Sequence, residues 1–164
     1  RPYTYITMLR DPVERVISQF YYIKSEPYHP NYHIVKNMNF SEFLAIDRKT
    51  IEENDSLYQL HFENTQTLYA SGGNNIDLNT ARNKIIKKFS VIGITEMFSQ
   101  SLKLMENKFN WNNISYNKLL VNKKRPRKAD LPPRIISRIK EKNQLDIKLY
   151  QWAKKQLITE INSL

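Results

Sequence analysis

The sequence predicts an α/β fold, a parallel sheet flanked by helices, and three observations carry that expectation. Residues 3–22, YTYITMLRDPVERVISQFYY, read as a strand that turns directly into a helix. Residues 89–94, FSVIGI, are a short β-branched apolar run of the kind buried on both faces. That run sits between two segments of helical period, and helix, buried strand, helix is the rhythm of a βαβ sheet and not of a bundle.

Taken in order, the first strand (Tyr5, Ile6, Met8, Leu9) stops at Arg10. Asp11 is a candidate N-cap, Pro12 suits the first helical position, and Glu14 stands three residues after the cap as in a capping box. Val13, Val16, Ile17 and Phe20 then recur at i, i+3, i+4, i+7, which makes one helix face apolar. Arg10 and Ser18 fall outside that packing logic. Arg10 lies at the carboxyl end of a strand, where open α/β sheets place ligands. Ser18 is about 140° round the helix from the apolar stripe, at about 100° per residue. An arginine and a hydroxyl so placed could grip one anion beside a helix N-terminus. They could equally be solvated surface residues.

Residues 24–39 hold two prolines, two histidines and no apolar period, and read as a surface loop. Its His29 and His33 have an i, i+4 spacing, but Pro30 between them argues against the helix a metal pair would need, so no metal is expected. Residues 40–46 suggest a short helix with Phe40, Phe43 and Leu44 inward. Residues 55–71 suggest a longer one, ended by Gly72-Gly73 and presenting Leu57, Leu60, His61, Asn64 and Leu68 on one stripe. His61 and Asn64 are either hydrogen-bonded core polars or the lining of a pocket.

A helix is expected over 77–88, capped by Asp77 or Asn79 and basic at its C-terminal end. After the 89–94 strand comes Thr95-Glu96 and a helix over 97–109 with Phe98, Leu102, Met105 and Phe109 inward. Residues 110–130 lack period and carry a basic run, Lys123, Lys124, Arg125, Arg127 and Lys128 around Pro126. Such a run is either a solvated face or a phosphate-gripping loop whose proline limits the entropy of ordering. Leu131-Pro132-Pro133 opens a helix to about Asn143. A last helix, 143–164, puts Leu145, Leu149, Trp152, Ala153 and Gln156 on one face.

Composition narrows the function classes. With 164 residues the chain is expected to form one domain with a real core. It has no cysteine, which excludes disulfides, a thiolate nucleophile and a zinc-thiolate site. No apolar stretch approaches the length of a membrane span, and no signal-peptide pattern opens the chain. Charge is uneven: residues 1–82 carry 8 Lys/Arg against 10 Asp/Glu, and residues 83–164 carry 18 against 6. The basic half attracts nucleic acid, acidic glycans, nucleotides or anionic membrane without choosing among them.

Four segments, in order, narrow that choice. YITMLRDPVERVISQFYY resembles the 3′-phosphate-binding motif of sulfotransferases that use 3′-phosphoadenosine 5′-phosphosulfate, in the branch of heparan sulfate 2-O-sulfotransferases and bacterial carbohydrate sulfotransferases. ENTQTLYASG, VIGITEMFSQSLKLM and RPRKADLPPRIISRIKEKNQLDIKLYQWA extend the resemblance over nearly the whole chain.

The resemblance implies a P-loop-kinase-like parallel sheet, sulfuryl transfer to a carbohydrate hydroxyl, and no metal. It assigns Arg10 and Ser18 to the cofactor's 3′-phosphate and makes Lys123, Lys124, Arg125 and Arg127 nucleotide contacts. Lys24, Tyr28, His29 and Lys36 become acceptor candidates, while Glu96 is expected to fix a strand-to-helix turn. The phosphosulfate-cradling turn and general base of relatives lie upstream of the position matching Arg1. The chain is therefore expected to be the C-terminal portion of a single sulfotransferase domain (1–164), binding nucleotide without turnover. Its expected location is cytoplasmic if it follows the bacterial branch, or the Golgi lumen if animal-type. A nucleic-acid-binding module and a non-catalytic remnant are the competing readings. A nucleotide kinase of related fold would need a Walker-type lysine loop and an acidic Mg²⁺ ligand, neither of which is visible.

Overall fold

The computed structural model describes residues 3–54, 57, 60, 62–112, 114–116 and 125–164, and these sort into two compact units. The first comprises Arg1–Asp11, Gln66–Leu119 and Leu145–Leu164, and the second Pro12–Thr65 and Leu120–Gln144.

The first unit is α/β. Strand β1 (Tyr5–Leu9) pairs in parallel with β2 (Phe89–Ile94), and the register opposes Ile6 to Val91, Thr7 to Ile92, Met8 to Gly93 and Leu9 to Ile94. Gly93 leaves room for its neighbours: a Cβ there would displace the Met8 thioether and crowd Ser101. Parallel pairing puts the carboxyl ends of both strands at one edge, so Arg10 and Glu96 leave the sheet on the same side. Val91, Ile92 and Ile94 are buried, as expected of a strand covered on both faces.

Three further helices complete that core. Asp77 caps the helix Leu78–Lys88 by accepting the Thr80 N–H at 2.6 Å, and Ala81 and Ile85 face inward. A 3-10 turn, Thr95–Met97, precedes the helix Phe98–Phe109, and the last helix is Gln144–Asn162. Two inward faces differ from those expected. The 98–109 helix buries Ser101, Leu104 and Met105 in place of Phe98, Leu102 and Phe109. The reason is Ser101, whose Oγ accepts the Ile94 N–H at 2.9 Å at the end of β2 and thereby sets the helix rotation. The last helix buries Asp146, Leu149, Ala153 and Leu157, leaving Gln156 exposed and Leu145 and Trp152 half-buried. Here the rotation follows from Asp146, a buried carboxylate with a structural task described below.

The helix expected over 55–71 is much shorter, Thr65–Ser71. Asn64 ahead of it adopts φ +46°, a left-handed conformation that asparagine tolerates but that stops a helix. Gly72 (φ +111°) ends it, with the Gly73 N–H bonded to the Leu68 carbonyl at 2.8 Å. Lys84 Nζ donates to the Ser71 carbonyl at 2.6 Å, a cation at a helix C-terminus. His61 lies outside the described residues.

The second unit is helical. The helix Pro12–Ser25 buries Val13, Val16, Ile17, Phe20 and Ile23, the stripe read from the sequence. Against it pack Phe40, Phe43 and Leu44 of the helix Phe40–Ala45, and Ile135 and Ile139 of the helix Pro133–Lys142. Phe20 stacks on Phe40 with ring centroids 4.7 Å apart. Asn39 and Glu42 form a full capping box. The segment 24–39 is not wholly a loop. It contains the short helix Tyr32–Val35, and Val35 and Asn31 are buried, because Val35 fills space in the core beside the Pro12–Ser25 helix. A five-residue helix, Arg48–Glu52, is capped by Asp47 through the Thr50 N–H at 2.8 Å. Such a helix is too short to show a period in sequence.

In chain order we number the helices α1 (Pro12–Ser25), α2 (Tyr32–Val35), α3 (Phe40–Ala45), α4 (Arg48–Glu52), α5 (Thr65–Ser71), α6 (Leu78–Lys88), α7 (Phe98–Phe109), α8 (Pro133–Lys142) and α9 (Gln144–Asn162). Among the described residues no helix is long and apolar enough to cross a membrane.

Candidate functional site

Arg10 is the first residue after β1, and its main chain is held at both polar groups by one side chain. Its N–H donates to Gln66 Oε1 at 2.8 Å, and its carbonyl accepts from Gln66 Nε2 at 2.9 Å. Gln66 is in turn fixed from beneath. Its own N–H donates to Asp146 Oδ2 at 3.1 Å, while the Thr67 N–H and hydroxyl donate to Asp146 Oδ1 at 2.7 and 2.8 Å. Asp146 is fully buried, so its charge is met by three donors at the N-terminus of α5, where the helix dipole also favours an anion.

A second brace acts on the next residue. Glu96 Oε1 accepts the Asp11 N–H at 3.1 Å, and Glu96 Oε2 accepts the Tyr150 hydroxyl at 3.2 Å. Glu96 does fix a strand-to-helix turn, but the turn is the one leaving β1. Burial, then the charges of Glu96 and Asp11, raise the Tyr150 phenol far above its ordinary value, so it stays a neutral donor. The backbone at 10–11 is thus held on one side by Gln66 and on the other by Glu96.

The Arg10 guanidinium, by contrast, has no partner among the described residues, and Arg10 is half-buried. A fixed main chain under an uncommitted cation suits an anion, because the ordering entropy of the loop is already spent. Sequence reasoning missed Gln66, Asp146 and Tyr150 as its supports. The signal was present, since they lie within two of the segments that carry the family resemblance, but no spacing rule links them.

In the second unit Ser18 is half-buried on α1, and its hydroxyl makes no hydrogen bond among the described residues. Arg125 forms an ion pair with Glu14 of α1, so Glu14 serves a tertiary contact. Arg127 makes a two-pronged pair with Asp130, Nε to Oδ2 and Nη2 to Oδ1, both at 3.0 Å. That pairing draws the Asp130 carboxyl below the usual carboxylate range. Lys123 and Lys124 lie outside the described residues. Asn64 is a hydrogen-bonded polar group: its N–H donates to Asn143 Oδ1 at 2.9 Å and its Nδ2 to the Lys142 carbonyl at 3.1 Å.

The acceptor candidates fare differently from one another. Lys24 Nζ donates to the Met38 carbonyl at 2.7 Å and lies over the Phe20 ring, which is a packing role. Lys36 stands over Tyr32 at 5.7 Å. His29 Nδ1 accepts the Asn31 N–H at 3.0 Å, which fixes its tautomer, and the ring meets Tyr22 edge-on. Tyr28 is 96% exposed.

A family model described as galactose-3-O-sulfotransferase matches residues 2–164. Comparison with curated proteins and with solved structures gave no match.

Proposed function

The chain belongs to the galactose-3-O-sulfotransferase family, so its chemistry is sulfuryl transfer, and from that premise we propose that Arg10 binds the 3′-phosphate of 3′-phosphoadenosine 5′-phosphosulfate during transfer to a galactose hydroxyl of a carbohydrate acceptor. The observation that carries the reading is half-buried Arg10, its guanidinium unpartnered among the described residues and its main chain clamped by Gln66. A guanidinium is a donor only and a hydroxyl can donate, as a phosphate dianion, which only accepts, requires. Ser18, eight residues on, is assigned to the same phosphate by the resemblance. The P-loop-kinase-like sheet of relatives is the architecture this reading expects around β1 and β2.

When bound, the nucleotide supplies the activated sulfuryl group. The acceptor oxygen forms the new S–O bond as the bond to the phosphate oxygen breaks, and the acceptor proton passes to a base. Catalysis of this kind is positioning and charge stabilisation, as in phosphoryl transfer. In it Arg10 and Ser18 give affinity and orientation, not bond breaking. Arg125 and Arg127 join the nucleotide by exchanging their carboxylate partners for phosphate oxygens, together with Lys123 and Lys124. Tyr28, His29, Lys24 and Lys36 are the candidate acceptor contacts, and of these Tyr28 is the one that makes no side-chain contact described above.

The test is calorimetry with adenosine 3′,5′-bisphosphate. Arg10→Ala is expected to weaken binding by about 1.5–3 kcal/mol, the value of a hydrogen bond to a charged group, and Ser18→Ala by about 1 kcal/mol. Adenosine 5′-monophosphate should bind both variants and the parent alike. Undiminished bisphosphate affinity in Arg10→Ala rejects the assignment.

A further inference from the structure

On the first unit, helices α6 and α9 border an open groove of about 530 Å³ that takes no part in the site above. Its lining includes Arg82 from α6 and Lys148, Trp152, Lys154, Lys155 and Ile158 from α9. The Arg82 guanidinium is held in place: its Nη2 donates to the Lys148 carbonyl at 3.3 Å, and it lies 5.7 Å from the centre of the Trp152 ring. Some cations elsewhere take acidic partners, as Lys108 does with Glu160 and Lys142 with Glu63. The four groove cations have no carboxylate partner among the described residues. The acids of α9 cannot balance them, because Asp146 is buried under α5 and Glu160 is paired with Lys108. A surface selected only for folding intersperses its charges, since like charges so close repel. Here four positive groups border one cleft with an aromatic face.

We propose that this groove binds an acidic oligosaccharide, one carrying sulfate or carboxylate groups, outside the transfer site. Extent argues for an oligomer. Lys148 and Lys155 are seven residues apart on α9, about 10 Å at a rise of 1.5 Å per residue, and with Arg82 and Lys154 they spread positive charge over more length than one anionic group spans. The half-buried Trp152 ring, with Arg82 over it, lines the groove together with Ile158, and these two add apolar surface of the kind the C–H face of a sugar ring packs on. The choice of a glycan over a nucleic acid rests on the sulfotransferase reading, because an enzyme that sulfates carbohydrate gains from holding the charged parts of its acceptor. The groove's affinity for polyanions stands without it. Such a device raises the local concentration of acceptor without entering the bond-making step.

The experiment is tryptophan fluorescence and calorimetry on the parent and on Lys148→Gln/Lys155→Gln, with a heparin hexasaccharide, neutral maltohexaose and a hexathymidylate as probes. Both lysines are exposed, so the double variant should fold as the parent does. The heparin hexasaccharide is expected to bind, with log K falling against log salt at a slope of about −3, as for roughly four neutralised cations. The double variant should lose at least about tenfold in affinity and about half the slope, while its binding of adenosine 3′,5′-bisphosphate is unchanged. Maltohexaose should not bind. Hexathymidylate binding as tight as heparin overturns the glycan assignment in favour of nucleic acid, and heparin binding that ignores the double substitution overturns the groove. Loss of bisphosphate binding by the parent itself would sink the nucleotide reading and leave the groove's polyanion binding standing, so the two failures are distinguishable.

Discussion

Asp146 shows at a single residue why the β1 exit is rigid. A carboxylate removed from water is costly unless every lone pair is met, and here two backbone N–H groups and the Thr67 hydroxyl meet it. Removing it strands those donors in a buried place, so Asp146→Ala is expected to cost about 3 kcal/mol or more in urea unfolding. Thr67→Val, which removes one donor and keeps the shape, should cost only about 1–1.5 kcal/mol. Similar losses for the two would mean that the carboxylate is not the keystone. Arg10 itself was legible from sequence, because a strand that stops at an arginine just before Asp-Pro marks a sheet edge. The clamp beneath it was not. Gln66 meets it from 56 residues away and Asp146 holds Gln66 from 80 residues further on, and a polar residue on an otherwise amphipathic helix looks the same whether it faces water or a partner.

At the scale of elements, legibility followed length and capping chemistry. α1 was readable from its periodic apolar residues and start signal, α6 and α8 from their start signals, and β2 as a short β-branched apolar run, whereas α2 and α4 have 4 and 5 residues and no room for a period. α5 was overread because the apolar stripe over 55–71 ignores the conformation of one residue, Asn64. The rotations of α7 and α9 escaped because a buried Ser or Asp takes a position that hydrophobicity gives to Leu or Phe.

The cap of α6 gives an element-level test. Hydrogen bonds from the Thr80 side chain and backbone hold the Asp77 carboxyl below its ordinary value in the folded state. A group with a depressed folded pKa contributes stability above its unfolded pKa, and that contribution is lost as pH falls through the folded value. Asp77→Ala should therefore destabilise at neutral pH, and the gap to the parent should close in acid. Asp77→Asn, a cap that does not titrate, should stay close to the parent at neutral pH and show less of the acid loss. Urea midpoints for the three proteins across the acid range decide it, and a gap that persists at the acid end argues against the carboxylate cap.

For the whole molecule the governing quantity is a net charge of +10, concentrated in residues 83–164. Self-repulsion of that size destabilises a compact state, and it acts over distances that salt screens: the Debye length is about 10 Å at about 0.1 M. Among the described residues the ion pairs that salt would weaken are few by comparison, and two of them, Arg125 with Glu14 and Lys142 with Glu63, are largely buried and so poorly screened. Raising sodium chloride from about 0.02 to about 0.3 M is accordingly expected to raise Tm by a few degrees. Chloride is the right anion, since sulfate or phosphate would add specific binding and exclusion effects. Lys148→Gln/Lys155→Gln, which relieves part of the repulsion along α9, should raise Tm at low salt and shrink the salt response. A Tm that falls with salt in the parent would show instead that attraction between unlike charges outweighs the excess of positive charge, and the unpaired cations of the groove would then be no burden on the fold.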